Sequence, residues 1–254
     1  MELDRYFERV GYKGGAAPTL ETLTALHTAH VFAIPFENLD VFYGKPISLE
    51  PEALCRKLVD GGRGGYCFEM NGLFSLVLRE LGFHVTDLLA RRVDGGIRRA
   101  KTHQVLMIEI DGARYLADVG YGNNGIAAPL RLAPGEEQAQ MADAYLITED
   151  PQFGYVLHRR EDGAFAPMYA FTAEECYPAD FEVANYYVST HPQSFFRAGR
   201  FCTKPTPSGR ITLTEDSLKI RENGAATQRP VSEGEFGSLL NRHFGLSLDL
   251  FKEC

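Results

Sequence analysis

Thr102-His103-Gln104-Val105-Leu106-Met107-Ile108-Glu109-Ile110-Asp111-Gly112-Ala113-Arg114-Tyr115-Leu116-Ala117-Asp118-Val119-Gly120 is a pair of apolar, alternating runs divided by Asp-Gly. That dipeptide between such runs signals a β-hairpin, because both residues of the favoured tight turn need positive φ. Pairing Ile110 with Ala113 and counting outward sets His103 opposite Gly120 and Asp118 opposite Val105. His103 and Asp118 then share one face of the sheet as diagonal neighbours, about 7–8 Å apart at the backbone, a gap an imidazole and a carboxylate can close between them. The parity rests on a two-residue turn and is undone by a bulged, odd-length loop. Taken singly, His103 reads as a satisfied sheet histidine and Asp118 as a turn residue at a strand end.

Upstream, Arg63-Gly64-Gly65-Tyr66-Cys67-Phe68-Glu69-Met70-Asn71 puts a cysteine where a glycine-rich loop becomes a helix. A helix start carries unpaired N–H groups and a partial positive charge, both favouring a thiolate over a thiol, and Arg63 brings a further positive charge close in sequence. The plainer reading is a buried helix cysteine. Joined to the hairpin, Cys67, His103 and Asp118 supply a nucleophile, a base for its proton, and a carboxylate to orient that base. Transglutaminase-like and papain-like enzymes use the same constellation, so the triad alone leaves the reaction open.

The rest of the chain divides into three patterns. Leu3, Tyr6, Phe7 and Val10 recur at helical spacing, as do Leu20, Leu23 and Leu26, then Leu54 and Leu58, then residues 67 to 81. Thr19 and Ser48 are plausible helix starts. Short strands follow at 85–92, 103–110, 114–119, 145–148, 155–160 and 165–169, which predicts a small antiparallel sheet or barrel. A helix over 180–189, strands near 210–213 and 217–221, and a helix over 233–243 complete the chain.

Four segments, Ile34-Pro35-Phe36-Glu37-Asn38-Leu39, Arg63 to Asn71, Thr102-His103 and Asp118-Val119-Gly120-Tyr121-Gly122, together resemble the arylamine N-acetyltransferases in order and spacing. Tyr121 stands where phenylalanine is more usual. The resemblance implies an α+β fold with a cysteine-proteinase-like core: an N-terminal helical bundle over 1–83 carrying the nucleophile, a central antiparallel β-barrel over 84–198 carrying His and Asp, and a C-terminal α/β lid over 199–254. It implies acetyl-CoA as co-substrate, a ping-pong reaction through an acetyl-cysteine, and arylamines, arylhydrazines or N-hydroxyarylamines as acceptors, in xenobiotic metabolism. Cys67, His103 and Asp118 would be catalytic; Phe36, Tyr66, Thr102, Gly120 and Phe196 would contact substrate. A buried Arg9–Glu37 ion pair is also implied. A macrolactam-forming amide synthase of the same superfamily, a Cys-His-Asp peptidase and a binding module without chemistry are the competing readings.

Composition bounds these readings. A chain of 254 residues, 44% hydrophobic and 24% charged, suits one large globular domain or two to three small ones. A net charge of -8 argues against a nucleic-acid partner, which needs clustered Lys and Arg. Cysteines at 55, 67, 176, 202 and 254 are odd in number and scattered, which suggests neither a disulfide framework nor a zinc knuckle and fits the reducing cytoplasm. Met1 to Arg5 begin an amphipathic helix, and no apolar run suits a signal peptide or a membrane span, so no membrane partner is expected. His27 and His30, at i and i+3, are weak evidence for a metal without a third ligand, and no metal is expected. Gly120 to Gly125 reads either as a turn leaving a strand or as amides for a diphosphate, without the spacing of a nucleotide P-loop.

Overall fold

In the computed structural model, which describes residues 2–94 and 97–252, the Asp111-Gly112 turn forms as read, with φ of 50° and 74° at its two residues. Met1 and Cys254 lie outside the described residues. The strands His103–Ile110 and Ala113–Ala117 pair from Ile110–Ala113 to Leu106–Ala117, in the register counted from the turn. The return strand stops at Ala117 rather than running to 119, so Asp118 leaves the ladder.

The first eighty residues are helical. Leu3–Val10, Leu20–Ala33 and Cys67–Glu80 match the apolar periodicity, and Thr19 Oγ1 caps the second by accepting from the Thr22 N–H. Leu54 and Leu58 sit on a turn of helix, Pro51–Leu54, that widens into a π-helical stretch, Cys55–Asp60. The Cys67–Glu80 helix is buried around most of its circumference. Its Phe68, Leu73 and Phe74 share one core with Tyr6, Leu23 and Leu26 and with Leu106 and Ile108 of the hairpin. That shared core fixes the Cys67–Glu80 helix directly on the strand that begins at His103.

The central sheet is antiparallel throughout, in the order Leu130–Arg131, Ala113–Ala117, His103–Ile110, His84–Asp94, Ala164–Phe171, Gly154–Glu161, Asp143–Asp150 and Glu137–Gln140. Side-chain amides stitch its two ends together. Gln138 accepts from the Arg131 N–H and donates to the Arg131 carbonyl, both at 2.8 Å, as a neighbouring strand would. Gln140 accepts from the Ala127 and Ala128 N–H groups and donates to the Ala128 carbonyl. The sheet thereby closes almost to a barrel around a second core that includes Leu88, Val105, Leu116, Tyr145 and Tyr169.

After the helix Pro178–Thr190, four strands, Phe201–Thr206, Gly209–Thr214, Ser217–Glu222 and Ala225–Pro230, lead to the helix Glu233–Phe244. The sheet they form takes its fifth strand from far upstream: Phe36 and Glu37 pair with Thr203 and Cys202. Leu39 joins the third core, with Cys202, Leu213, Phe236 and Phe251. The architecture is α+β. No helix among the described residues is long and apolar enough to cross a membrane.

Candidate active site

Cys67, His103 and Asp118 meet where the Cys67–Glu80 helix crosses the hairpin. His103 Nε2 lies 2.7 Å from Asp118 Oδ2, which leaves Nδ1 as the ring's other proton site, and Cys67 is among the groups that act electrostatically on the ring. The sulfur is 3.8 Å from the Thr102 carbonyl oxygen. All three side chains are buried. Burial pulls the His103 pKa down, but the Asp118 carboxylate, its hydrogen bond and the thiol outweigh that and hold it at about 10. Burial likewise pushes Asp118 up, and the imidazole, Asn71 and the Gly120 amide overcome it, leaving the carboxyl below its usual range. The result is a protonated imidazole gripped by a carboxylate beside the Cys67 side chain.

Asn71, one turn after Cys67 on the same helix, locks this geometry. Its Nδ2 donates to Asp118 Oδ1 at 2.9 Å and to the Gln104 carbonyl at 2.7 Å, and its Oδ1 accepts from the Val119 N–H at 2.9 Å. Asn71 stood in the quoted motif without a role, because its partners come from the far strand. The Gly120 N–H gives Asp118 Oδ1 a further donor. A Cβ at Gly120 would stand 2.8 Å from Cys67 Cα, so only glycine lets the Asp118 segment approach the nucleophile this closely.

The N-acetyltransferase family model matches residues 19–253. An arylamine N-acetyltransferase of Mycolicibacterium smegmatis is 40% identical over 98% of this chain and 93% of its own length. The chain belongs to the arylamine N-acetyltransferase family. A Salmonella typhimurium relative, named arylamine N-acetyltransferase / N-hydroxyarylamine O-acetyltransferase, is 34% identical over 97% of this chain and 89% of its own. The Mycobacterium marinum arylamine N-acetyltransferase, solved in complex with CoA, superposes with a TM-score of 0.94 at 35% identity, covering 99% of this chain and 95% of that one.

In this family member a cleft of about 670 Å³ opens onto His103. Phe36, Thr102, Tyr121, Phe196 and Phe201 line it; the Phe36 ring lies 6.0 Å from Phe196 and 5.9 Å from Phe201, and Arg92 and Arg99 also border it. Phe36, Thr102 and Phe196 are therefore cleft-lining residues. Tyr66 does not: it is fully enclosed, its hydroxyl bonds Asn185 Oδ1, and its ring supports Phe196 from behind at 5.7 Å. Gly120 sits against the Cys67 backbone instead of on the wall.

Several charged residues take partners other than those expected. Arg63 turns away from Cys67, bonding Glu37 and Asp40 at 3.0 Å each beneath the Phe251 ring. The implied Arg9–Glu37 pair is replaced: Arg9 donates to the carbonyls of Ala33, Leu58, Gly62 and Arg63, which end helices and form the loop before Cys67. Lys57 joins Asp40 at 2.7 Å to Glu69 at 2.6 Å. In the Gly120 to Gly125 loop, the Gly122 and Gly125 carbonyls accept from Arg210.

Burial pushes the Cys202 thiol well up and those of Cys55 and Cys176 up as well. Among the described residues no group of three or more His, Cys, Asp or Glu could hold a metal. His27 and His30 are instead spent on hydrogen bonds, His30 to the Tyr6 hydroxyl and His27 to the backbone of Asp118 and Ala127.

Proposed function

We propose that this chain transfers the acetyl group of acetyl-CoA to the nitrogen of arylamines and arylhydrazines, and to the oxygen of N-hydroxyarylamines, through an acetyl-Cys67 intermediate. The observation that carries this reading is His103, held by Asp118 at one ring nitrogen and close to Cys67, standing on the wall of an aromatic-lined cleft. The cleft has room for a thioester arm, and a relative was solved with CoA.

Cys67 acts as thiolate, its proton held on His103, and its sulfur attacks the thioester carbonyl carbon. N–H groups at the start of the Cys67 helix have no intrahelical acceptor and meet the developing oxyanion. As the carbon–sulfur bond to coenzyme A breaks, His103 returns its proton to the departing thiolate, leaving acetyl-Cys67. The acceptor nitrogen then attacks the acetyl carbon, His103 takes a proton from that nitrogen, and the bond to Cys67 breaks. Asp118 stabilises the imidazolium at each turn. Arylamines are neutral at pH 7, which suits a wall of Phe36 and Phe196. On this reading 1–83 supplies the nucleophile, 84–198 the His and Asp, and 199–254 a lid; the partners are small molecules in the cytoplasm, without nucleic acid or membrane.

Incubation with acetyl-CoA and no acceptor tests the proposal. Intact-mass analysis should find one acetyl group on Cys67 and none in Cys67→Ala. Its absence under rapid quench, with intersecting double-reciprocal lines, would sink the covalent route.

A further inference from the structure

Asp118 is a buried residue just past the end of its strand, so its backbone N–H has lost the neighbouring strand as acceptor. A buried N–H without a partner costs about 1–3 kcal/mol and leaves the residue free to shift. Here the acceptor is a side chain from the helix Leu20–Ala33: the Asp118 N–H donates to His27 Nε2 at 3.1 Å. The other ring nitrogen, Nδ1, lies 3.2 Å from the Ala127 carbonyl, which also receives the Thr28 hydroxyl at 3.1 Å. One rigid ring therefore clips both ends of the segment that runs from Asp118 through the Gly120 to Gly125 loop. Its outer edge packs on Phe74 of the nucleophile helix, ring centroids 5.7 Å apart at 87°.

We infer that His27 is a positioning residue for the triad, holding Asp118 in place through its main chain so that the carboxylate meets His103. The inference rests on the proposed function for what the triad does, but its observable is the reactivity of Cys67 itself. A neutral ring is what the site requires, since Nε2 must accept. The groups facing it are Asp118 and, one turn along, His30, and burial pushes the His27 pKa down to about 4 against the pull of Asp118. A neutral His27 also leaves the whole Asp118 charge to His103. No shorter polar side chain spans the Asp118 amide and the Ala127 carbonyl together.

The test is the rate of Cys67 alkylation by iodoacetamide across pH, with thermal melting alongside. His27→Leu should lower the rate at neutral pH about 10- to 100-fold, the range for residues that orient a reacting group from behind, and should shift the pH profile. His27→Gln, which keeps an acceptor and a donor, should restore most of the rate. On an Asp118→Asn background, His27→Leu should cost nothing more, because the two act through one carboxylate. A wild-type pH profile in folded His27→Leu, or losses that add on the Asp118→Asn background, would overturn the inference. Should His27→Leu not fold, His27→Asn, too short to reach the Asp118 amide, serves instead: a lowered rate with retained melting supports the role, and a wild-type rate removes it. Because iodoacetamide needs no acyl donor, failure of wild-type protein to become acetylated would count against the proposed function alone.

Discussion

Asp118 commits both carboxylate oxygens and its amide to fixed partners, so a change of one atom in its side chain tests its role cleanly. Asp118→Asn keeps the volume but cannot stabilise an imidazolium, and acetylation of Cys67 should fall on the order of 10⁴-fold, as for the same change in a serine triad. Near-normal acetylation in a folded variant would leave a Cys67–His103 dyad. The pair also leaves a mark on stability. His103 binds its proton more tightly folded, at about 10, than unfolded, at 6.5, so its contribution is whole below 6.5 and drains away as pH rises toward 10. The Asp118 contribution is present above 3.8 and is lost as pH falls below it, toward the depressed folded value. The stability gap between wild type and Asp118→Asn, read by urea unfolding, should therefore narrow from pH 6.5 to about 10. A constant gap would contradict the pairing. His103 and Asp118 were legible because hairpin parity is local. His27 was not, since nothing in a helical pattern says that one of its buried positions faces a strand end ninety-odd residues away.

The loop before Cys67 has no ladder or helix of its own, and buried charges hold it. Lys57 is trapped between Asp40 and Glu69, and although burial opposes its charge, Glu69, Glu37 and Asp40 together hold its pKa above the ordinary lysine value. Glu69 in turn accepts the Tyr66 N–H at the helix start. Lys57→Met keeps the length, strands the buried Glu69 carboxylate and leaves Asp40 with Arg63 alone, so it should cost about 3–5 kcal/mol in urea unfolding at neutral pH. A cost near zero would mean that Arg63 and water suffice. The elements divide along the same line as the residues. The Asp111-Gly112 hairpin and the helices at Leu3, Leu20 and Cys67 carry their signals in their own turn residues and apolar spacing. Phe36–Glu37 is a strand only because Thr203 and Cys202 lie beside it, and two residues hold no periodicity to read. Arg63 was misread for a related reason: closeness in sequence to Cys67 said nothing of the carboxylates brought in by Glu37 and Asp40.

Across the whole molecule, two fully buried histidines set the response to acid. Burial lowers His27 to about 4 and His30 well below its ordinary value, whereas the unfolded chain takes up those protons near 6.5. Unfolding thus gains protons as pH falls below 6.5, and stability should drop by up to about 1.4 kcal/mol per pH unit for each histidine. Glu69, whose carboxyl burial holds up, opposes part of that loss. Urea unfolding between neutral pH and about 5 reads the slope; His27→Gln should lessen it, and a flat profile would refute the assignment. The α+β class, the closing barrel and the nearness of His103 to Asp118 were within reach of the sequence, whereas the sheet that joins Phe36–Glu37 to the last third of the chain was not, because its register is written in partners and not in neighbours. That sheet has a consequence for the order of manufacture. Chains emerge from the ribosome amino end first, and contacts distant along the chain form late. The thiol of Cys67 is made in the first third, but Phe36, bridged early to Gly65, gains its sheet partner Thr203 only later, and Arg63 its cover only with Phe251, almost the last residue described. A nascent chain therefore carries Cys67 long before it has a finished cleft, because Phe196 and Phe201 of the wall are made only in the last third of the sequence.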